Sequence, residues 1–240
     1  GVPYTSSLRE FLGLMGSYEW RRKGVYIEAL KSSIHPHYGV FSPVRGEYID
    51  LVARAPLPLA AKSSGALDMG TGTAILALVL ARRGVGVTAT DVCERAVRCA
   101  RENVARLDLS ASVSVQRCHS FPQGRFGLVV CNPPWLPVVP TSHVEAAVYD
   151  PESRMLRSYL AGLNEHLAPN GEGWLILSDF AELLGLRTRE QLLSWVSEGG
   201  LRVVGKIDTK PIHPKAFDPE CALHGARAAE ITSLWRLSSL

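Results

Sequence analysis

Long apolar runs are missing from this sequence. No apolar run approaches the roughly 18 uncharged residues of a membrane-spanning helix, and the first residues lack the basic, apolar and small-residue order of a secretory signal. Cysteine is scarce too, because only five cysteines are scattered over mostly apolar segments. An odd, scattered set predicts reduced core thiols instead of a disulfide framework. We therefore expect a cytoplasmic protein without membrane insertion.

An excess of one charge is also absent. The formal net charge is +3, which neither requires nor excludes a nucleic-acid partner. Basic residues gather in two places, and each group is either a rim that contacts nucleic acid or an ordinary solvated face. The first group is Arg21, Arg22 and Lys23, beside Trp20 and Tyr26, and the second is Lys206, Lys210, Lys215 and Arg227.

Complete sets of metal ligands are lacking. His35 and His37 supply only two candidate ligands, which is an incomplete site. The spacing of His213, Cys221 and His224 matches no zinc pattern. We expect no resident metal ion.

The sequence does contain a regular alternation of short apolar runs and helical patterns between about residues 65 and 178. Continuous apolar strands separated by helices predict a parallel sheet covered on both faces. A helix at about 181–198 and two further strands, the second near 229–237, predict an antiparallel pair at one edge. We expect residues 1–34 to form a short helical extension and residues 35–240 a single α/β domain.

The first strand ends in "ALDMGTGTA", which contains an acid and a glycine turn: Asp68, Gly70, Thr71 and Gly72. Glycines permit a tight turn and a close approach of the backbone to a ligand. Asp91, followed by Val92, ends the next strand about 20 residues later, where a carboxylate can accept both hydroxyls of a ribose. The spacing differs from the G-x-G-x-x-G of nicotinamide enzymes, and no P-loop lysine follows.

A second polar group follows the buried run at 126–131: Asn132, Pro133, Pro134 and Trp135. Ligands bind at the carboxyl ends of strands in open α/β sheets, so this group is predicted to face the glycine turn. The Asn132 side-chain oxygen and the Pro133 carbonyl can accept hydrogen bonds, and Trp135 offers a flat surface for stacking. Together they predict a clamp for a planar –NH2 group.

These two motifs resemble those of class I S-adenosylmethionine-dependent methyltransferases. The D-x-G-x-G turn is similar to their motif I, with Asp91 in the place of the ribose-binding acid. N-P-P-W is similar to motif IV of the amino-methyltransferases, which modify base amines or the side-chain amide of glutamine. The segment 38–52 also resembles the one before motif I in the HemK/PrmC type of protein-(glutamine-N5) methyltransferases, which modify release factors.

The resemblance implies S-adenosyl-L-methionine as the cofactor and a Rossmann-like class I methyltransferase fold. That fold has a mostly parallel seven-stranded sheet with an antiparallel edge strand and helices on both faces. The residues that the resemblance assigns to the cofactor are Asp68, Gly70, Thr71, Gly72, Asp91, Val92, His119, Ser120 and Asn132, and the catalytic ones are Asn132, Pro133, Pro134 and Trp135.

Three features depart from the HemK/PrmC pattern. First, His119 and Ser120 stand where the usual third-strand acid is expected. Second, the segment "FDLIVSNPPY" of that family is changed at two positions, with Gly127 for its acid and Trp135 for its tyrosine. The region before residue 38 is also far shorter than that family's N-terminal domain. The predicted activity is N-methylation of a protein glutamine, with an exocyclic amine of RNA or DNA, such as adenine N6, as the alternative. A binding module that has lost catalysis is the hypothesis from another class, and the oligomeric state is left open.

Overall fold

The structure is a computed structural model that describes residues 8–43, 46–139, 149–211 and 223–240, with side chains from residue 13 onward. Within these ranges no helix has the length and apolar character needed to cross a membrane. The helices are α1 (Leu8–Lys23), α2 (Glu47–Arg54), α3 (Leu59–Ser64), α4 (Ile75–Arg82), α5 (Glu94–Arg106), α6 (Arg154–His166), α7 (Phe180–Leu183), α8 (Arg189–Glu198) and α9 (His224–Ala229). The strands are β1 (Val25–Ile27), β2 (Ser32–Ile34), β3 (Ala66–Met69), β4 (Val87–Asp91), β5 (Val113–Arg117), β6 (Phe126–Cys131), β7 (Leu167–Ser178), β8 (Leu201–Thr209) and β9 (Thr232–Ser239).

A seven-stranded sheet forms the centre of the molecule, with the order β5-β4-β3-β6-β7-β9-β8. The five strands β5, β4, β3, β6 and β7 are parallel to one another. Strand β9 runs antiparallel to both β7 and β8. The predicted fold, including the antiparallel finish at one edge, is confirmed. Because the chain continues from β3 to β4 on one side and returns to β6 on the other, β3 marks the point where ligand crevices open.

The helices flank this sheet as their sequences require. In α4 every residue from Ile75 to Ala81 is buried, since this helix packs between the sheet, α2 and the β1–β2 hairpin. Helix α5 buries one stripe, which includes Val97, Ala100 and Val104, and leaves its arginines in solvent. This is the amphipathic pattern of a helix that covers one face of a sheet.

The prediction of a single helix at 181–198 is wrong, because the structure has two helices there, α7 and α8. Gly185 lies between them with a φ of +66°, a left-handed conformation that ends a helix. The Thr188 side chain then accepts the backbone N–H of Gln191, and the Gln191 side chain accepts the N–H of Thr188. This capping box starts α8 as a separate helix.

The N-terminal region is only partly helical. After α1, the strands β1 and β2 pair as an antiparallel hairpin, and Ile27, Leu30 and Ile34 are buried in the same core as α2 and α4. The boundary between an extension at 1–34 and a domain at 35–240 stays a prediction, and residues 1–7 lie outside the described ranges.

The candidate metal ligands His35 and His37 have structural contacts instead. The His37 ring lies 2.9 Å from the Glu102 carboxylate on α5, which also accepts a hydrogen bond from Arg21 at 3.2 Å. The Nδ1 atom of His35 lies 2.7 Å from the carbonyl oxygen of Arg21. These contacts join α1 to α5. Of the other three candidates, His213 and Cys221 lie outside the described residues, and His224 is the first residue of α9.

Candidate active site

A cleft of about 1150 Å³ opens at the carboxyl ends of β3, β4, β5 and β6. Pockets for a single small ligand usually measure about 300–1,000 Å³, so this cleft has room for a cofactor and part of an acceptor. The residues that the sequence analysis selected all lie in its wall: Asp68, Gly70, Thr71, Gly72, Asp91, Val92, His119, Ser120, Asn132, Pro133, Pro134 and Trp135. The structure therefore brings the two predicted motifs together.

The glycine turn forms the floor of the cleft. Gly70 and Gly72 have φ angles of +73° and +54°, which are strained for a residue with a Cβ atom. The backbone N–H groups of Gly70 and Thr71 both donate to the Thr90 carbonyl, at 2.9 and 2.8 Å. A Cβ atom on Gly70 would overlap the terminal methyl of Met155, so a residue with a side chain would displace the methionine that packs on this turn.

Asp91 fixes the far side of this turn. Its carboxylate accepts the N–H of Gly72 at 3.0 Å and the N–H of Cys93 at 2.9 Å. Burial raises the pKa of Asp91, and the backbone N–H groups oppose that rise. Each carboxylate oxygen has a second lone pair, so Asp91 can hold the turn and still accept hydroxyl groups of a ligand.

Asp68 is the most deeply buried acid of the cleft, with 1% of its surface exposed. Burial raises its pKa to about 6, while hydrogen bonds from the Thr71 hydroxyl at 2.6 Å and the Ala77 N–H at 3.1 Å favour the charged form. A buried carboxylate beside a glycine turn is suited to a cationic ligand group, because the opposite charge offsets its cost of burial.

The N-P-P-W segment enters the cleft beside the glycine turn. Met69 at the end of β3 pairs with Cys131 at the end of β6, so Gly70 and Asn132 leave the sheet side by side. The indole N–H of Trp135 donates to the side-chain oxygen of Asn132 at 2.9 Å. This oxygen was predicted to accept a substrate N–H, and it already accepts one internal bond. One lone pair remains for a substrate.

The cleft also contains charged residues that the sequence analysis did not select. Arg95, Arg98 and Arg154 contribute to its wall. Asp150, which is buried, caps α6 by accepting the N–H groups of Met155 at 2.9 Å and Leu156 at 3.1 Å. The arginines at positions 95 and 98 are three residues apart on the predicted helix, and that spacing was the available signal.

The basic groups chosen from the sequence lie mostly elsewhere. Arg21 contacts Glu102, Arg22 and Lys23 contact Glu19, and Lys206 contacts Asp208 at 2.5 Å. Of the described residues in these groups, Arg227 alone lies in the cleft wall, where its guanidinium stacks on the Phe180 ring at 5.6 Å. Lys215 lies outside the described residues.

The sheet order and the cleft at its reversal point define the class of Rossmann-like methyltransferases. Residues 31–186 match the family model of the methyltransferase small domain, and the chain belongs to this family. The cofactor of the family is S-adenosyl-L-methionine. The glycine turn, the buried acid and the acid at the end of β4 are groups that suit its amino acid and ribose portions.

Relatives of this chain act on RNA and on protein, by their names. It is 30% identical over 175 residues to the tRNA1(Val) (adenine(37)-N6)-methyltransferase of Serratia proteamaculans, covering 68% of this chain and 65% of that protein. It is 41% identical over 90 residues to the release factor glutamine methyltransferase of Deinococcus radiodurans, covering 37% of this chain and 31% of that protein. Against the ribosomal RNA small subunit methyltransferase C of Aeromonas hydrophila the identity is 28%, over 59% of this chain and 39% of that protein. The chain spans only part of the length of its curated relatives. The share is 65% for the Serratia protein and 20% for a ribosomal RNA small subunit methyltransferase C of Buchnera aphidicola.

Solved structures show the same fold at low sequence identity. A methyltransferase from Pyrococcus furiosus matches with a TM-score of 0.60 at 19% identity, over 97% of this chain and 99% of that one. The ribosomal protein L11 methylase of Lactobacillus delbrueckii matches with a TM-score of 0.54 at 17% identity, over 87% of this chain and 86% of that one. These likenesses concern the fold alone.

Proposed function

We propose that the chain is an S-adenosylmethionine-dependent N-methyltransferase that acts on the exocyclic amino group of a nucleobase in RNA. The observation that carries this proposal is the position of Asn132 and Trp135 beside the glycine turn, in one cleft. A cofactor wall and an acceptor clamp that share a cleft are what a direct methyl transfer between two ligands requires.

For the cofactor, the proposal assigns a role to each side of the glycine turn. Asp91 accepts the ribose hydroxyls, and Asp68 faces the positively charged amino acid portion. Val92 contacts the adenine ring, with His119 and Ser120 at the edge where both are exposed. When bound, the cofactor supplies a methyl group already activated by its sulfonium sulfur. The protein then has to align the acceptor with this methyl group and to exclude other geometries.

For the acceptor, the clamp holds the planar amine. The remaining lone pair of the Asn132 oxygen and the Pro133 carbonyl accept the two amine hydrogens, and the Trp135 ring covers the planar group. Both oxygens stabilise the positive charge that develops on nitrogen during methylation. The methylated product can lose its proton to water afterwards, so the chemistry requires no strong general base.

Three arguments favour a nucleobase over a glutamine side chain. The cleft wall contains Arg95, Arg98 and Arg154, which can neutralise phosphates. Trp135 offers a larger stacking surface than a tyrosine, and stacking on aromatic rings is typical of single-stranded RNA recognition. The relative that shares 175 aligned residues is by name an RNA adenine methyltransferase.

A protein glutamine is the second candidate. The 41% identity to a release factor glutamine methyltransferase over 90 residues favours it, and an amide satisfies the same two acceptors as a base amine. Both candidates are compatible with the cytoplasmic location expected from the scattered cysteines, which stays a prediction.

The two candidates separate in a transfer assay. Cofactor carrying a tritiated methyl group would be incubated with the protein and either total RNA or a mixture of release factors and ribosomal proteins. We expect label in RNA, with a yield that falls steeply between about 50 and about 200 mM salt as phosphate contacts are screened. Label found only in a protein, with none in RNA at low salt, would mean that the acceptor is a glutamine and not a nucleobase.

A further inference from the structure

A second depression lies between α6 and α8, next to the cleft. It measures about 430 Å³. We call it the α6–α8 groove, and its main lining residues are Arg154, Arg157, Ser158, Ala161, Trp195 and Glu198. Arg154 and Ser158 also line the cleft. The groove and the cleft therefore adjoin each other at these two residues.

The face that α6 presents to this groove carries small side chains and an arginine. Arg154, Ser158 and Ala161 are spaced by four and three residues, so they lie on one side of the helix. The small side chains of Ser158 and Ala161 leave space above the helix, while the arginine extends beside it. This arrangement admits a flat group between a helix surface and a cation.

Trp195 supplies the opposite wall. Its ring is half-buried and packs on the core, so its orientation is fixed by packing. The guanidinium of Arg157 lies 5.5 Å from the centroid of the ring, a cation–π arrangement. The guanidinium covers the ring, and a base can stack on this Arg157–Trp195 pair, since proteins stack RNA bases on arginine planes as well as on aromatic rings.

The ion pair at the groove is an exposed one. Arg154 contacts Glu152 at 3.3 Å, but the two side chains are 72% and 74% exposed, so this ion pair is weak and exchangeable. Glu198, the acid of the groove lining, accepts a hydrogen bond from Ser194 at 2.7 Å. A phosphate can therefore take the place of Glu152 at Arg154.

We propose that the α6–α8 groove binds a nucleotide adjacent to the methylated base of a single-stranded RNA. This inference rests on the proposed function, because it extends the acceptor from the cleft into the groove. Arg157 and Trp195 stack together against the flanking base, and the charges of Arg154 and Arg157 lie next to its phosphates. The volume of about 430 Å³ falls within the range of single-ligand pockets, about 300–1,000 Å³, which suits one nucleotide.

The test measures binding of a fluorescently labelled single-stranded RNA of mixed sequence to the full chain, with S-adenosylhomocysteine present, at several salt concentrations. Arg157→Gln should weaken binding about tenfold at low salt and reduce the slope of log Kd against log salt by about one phosphate contact. Trp195→Ala should weaken binding at least fivefold with little change in that slope, because stacking depends weakly on salt. The matched control Arg106→Gln removes an exposed arginine at the end of α5 and should stay within twofold of the wild type.

The outcomes separate this inference from the proposed function. If the wild type methylates RNA and the groove variants bind RNA as it does, the groove assignment is wrong and the proposed function stands. If the wild type binds no RNA and methylates a protein, both fail. S-adenosylhomocysteine affinity reports whether each variant is folded. Should Trp195→Ala unfold, Trp195→Phe retains most of the packing and should give a smaller loss of RNA affinity, whereas wild-type affinity would contradict the stacking role.

Discussion

The indole N–H of Trp135 donates a hydrogen bond of 2.9 Å to the side-chain oxygen of Asn132. This bond sets which end of the amide faces the indole, and so it fixes the direction in which the second lone pair of the oxygen points. Phenylalanine has no donor to replace the indole N–H, and the hydroxyl of tyrosine lies at the far end of its ring. Trp135 thus positions Asn132 in addition to presenting a stacking surface.

Trp135→Phe tests this positioning role. The variant keeps an aromatic ring but loses the bond to Asn132, which is worth on the order of 1 kcal/mol. We expect kcat to fall about tenfold at saturating cofactor, with S-adenosylhomocysteine affinity within twofold of the wild type. Single-turnover kinetics on the labelled acceptor would measure the change. Trp20→Phe, on the exposed surface of α1, is the matched control, and a wild-type kcat in Trp135→Phe would contradict the role.

Asn132→Ala removes the acceptor itself. We expect turnover to fall on the order of 100-fold or more, because a preorganised polar contact to the reacting group is lost. Cofactor affinity should change no more than a few-fold. Comparison of methyl-transfer rates with calorimetric binding of S-adenosylhomocysteine separates the two effects. Unchanged turnover would mean that the clamp has been assigned to the wrong residue.

Asp91→Ala should weaken S-adenosylhomocysteine binding by roughly 1–3 kcal/mol, because the ribose hydroxyls lose a charged acceptor. Since Asp91 also accepts the N–H of Gly72, Asp91→Asn provides a control that retains one oxygen acceptor. Its loss of affinity should be smaller. Titration calorimetry measures both variants. Binding of a nicotinamide cofactor to the wild type in place of S-adenosylhomocysteine would overturn the cofactor assignment.

Asp68 makes folding stability depend on pH. Burial raises the pKa of Asp68 from its ordinary value of 3.8 to about 6 in the folded protein, so the folded state binds the proton more tightly. The stability that this proton contributes is fully present below about pH 4, is lost as the pH rises to about 6, and stays lost above it. The size of the change is at most about 3 kcal/mol.

Asp68→Asn cannot titrate and isolates this contribution. The free energy of unfolding of the variant relative to the wild type should rise between pH 4.5 and pH 7.5, when measured by urea denaturation at both values. Cofactor affinity should fall in the same variant, because the buried negative charge is gone. An identical difference in stability at both pH values would show that Asp68 does not titrate in this range.

Gly127→Ala should destabilise the fold. Gly127 lies on β6, and a Cβ atom there would overlap the backbone carbonyl of Ala60 on α3. Since neither backbone can move freely, we expect a loss of at least about 2 kcal/mol in the free energy of unfolding. Gly205→Ala on β8 is the control, because its Cβ atom would meet only ordinary contacts at 3.6 Å or more. Equal stability of the two variants would contradict the packing argument.

The sheet and the cleft could be predicted because their signals are local. The apolar runs that end at Asp68, Asp91 and Cys131 are short and continuous, and the polar residues follow them directly. Parallel strands bring such ends to one edge whatever the details of the packing. The same argument explains why every selected residue of the two motifs lies in the cleft wall.

Other features depend on tertiary packing and left no such signal. The bond between Trp135 and Asn132 depends on side-chain rotamers, and the α6–α8 groove depends on how two helices meet. Gly127 illustrates the same limit. The sequence shows a glycine where the HemK/PrmC pattern has an acid, but only the structure shows that α3 lies too close for a side chain there. In contrast, the break at Gly185 could have been predicted, because Thr188 and Gln191 have the spacing of a capping box.

The hydrogen bond from the Gly72 N–H to the Asp91 carboxylate ties the ends of β3 and β4 together through groups of the chain itself. In kinetic terms, a turn that is already closed spares the cofactor a slow ordering step after encounter. Association of S-adenosylhomocysteine should then be a single exponential whose rate rises linearly with ligand concentration and reaches no plateau. Differences in cofactor affinity among variants that keep this bond would consequently appear in the dissociation rate.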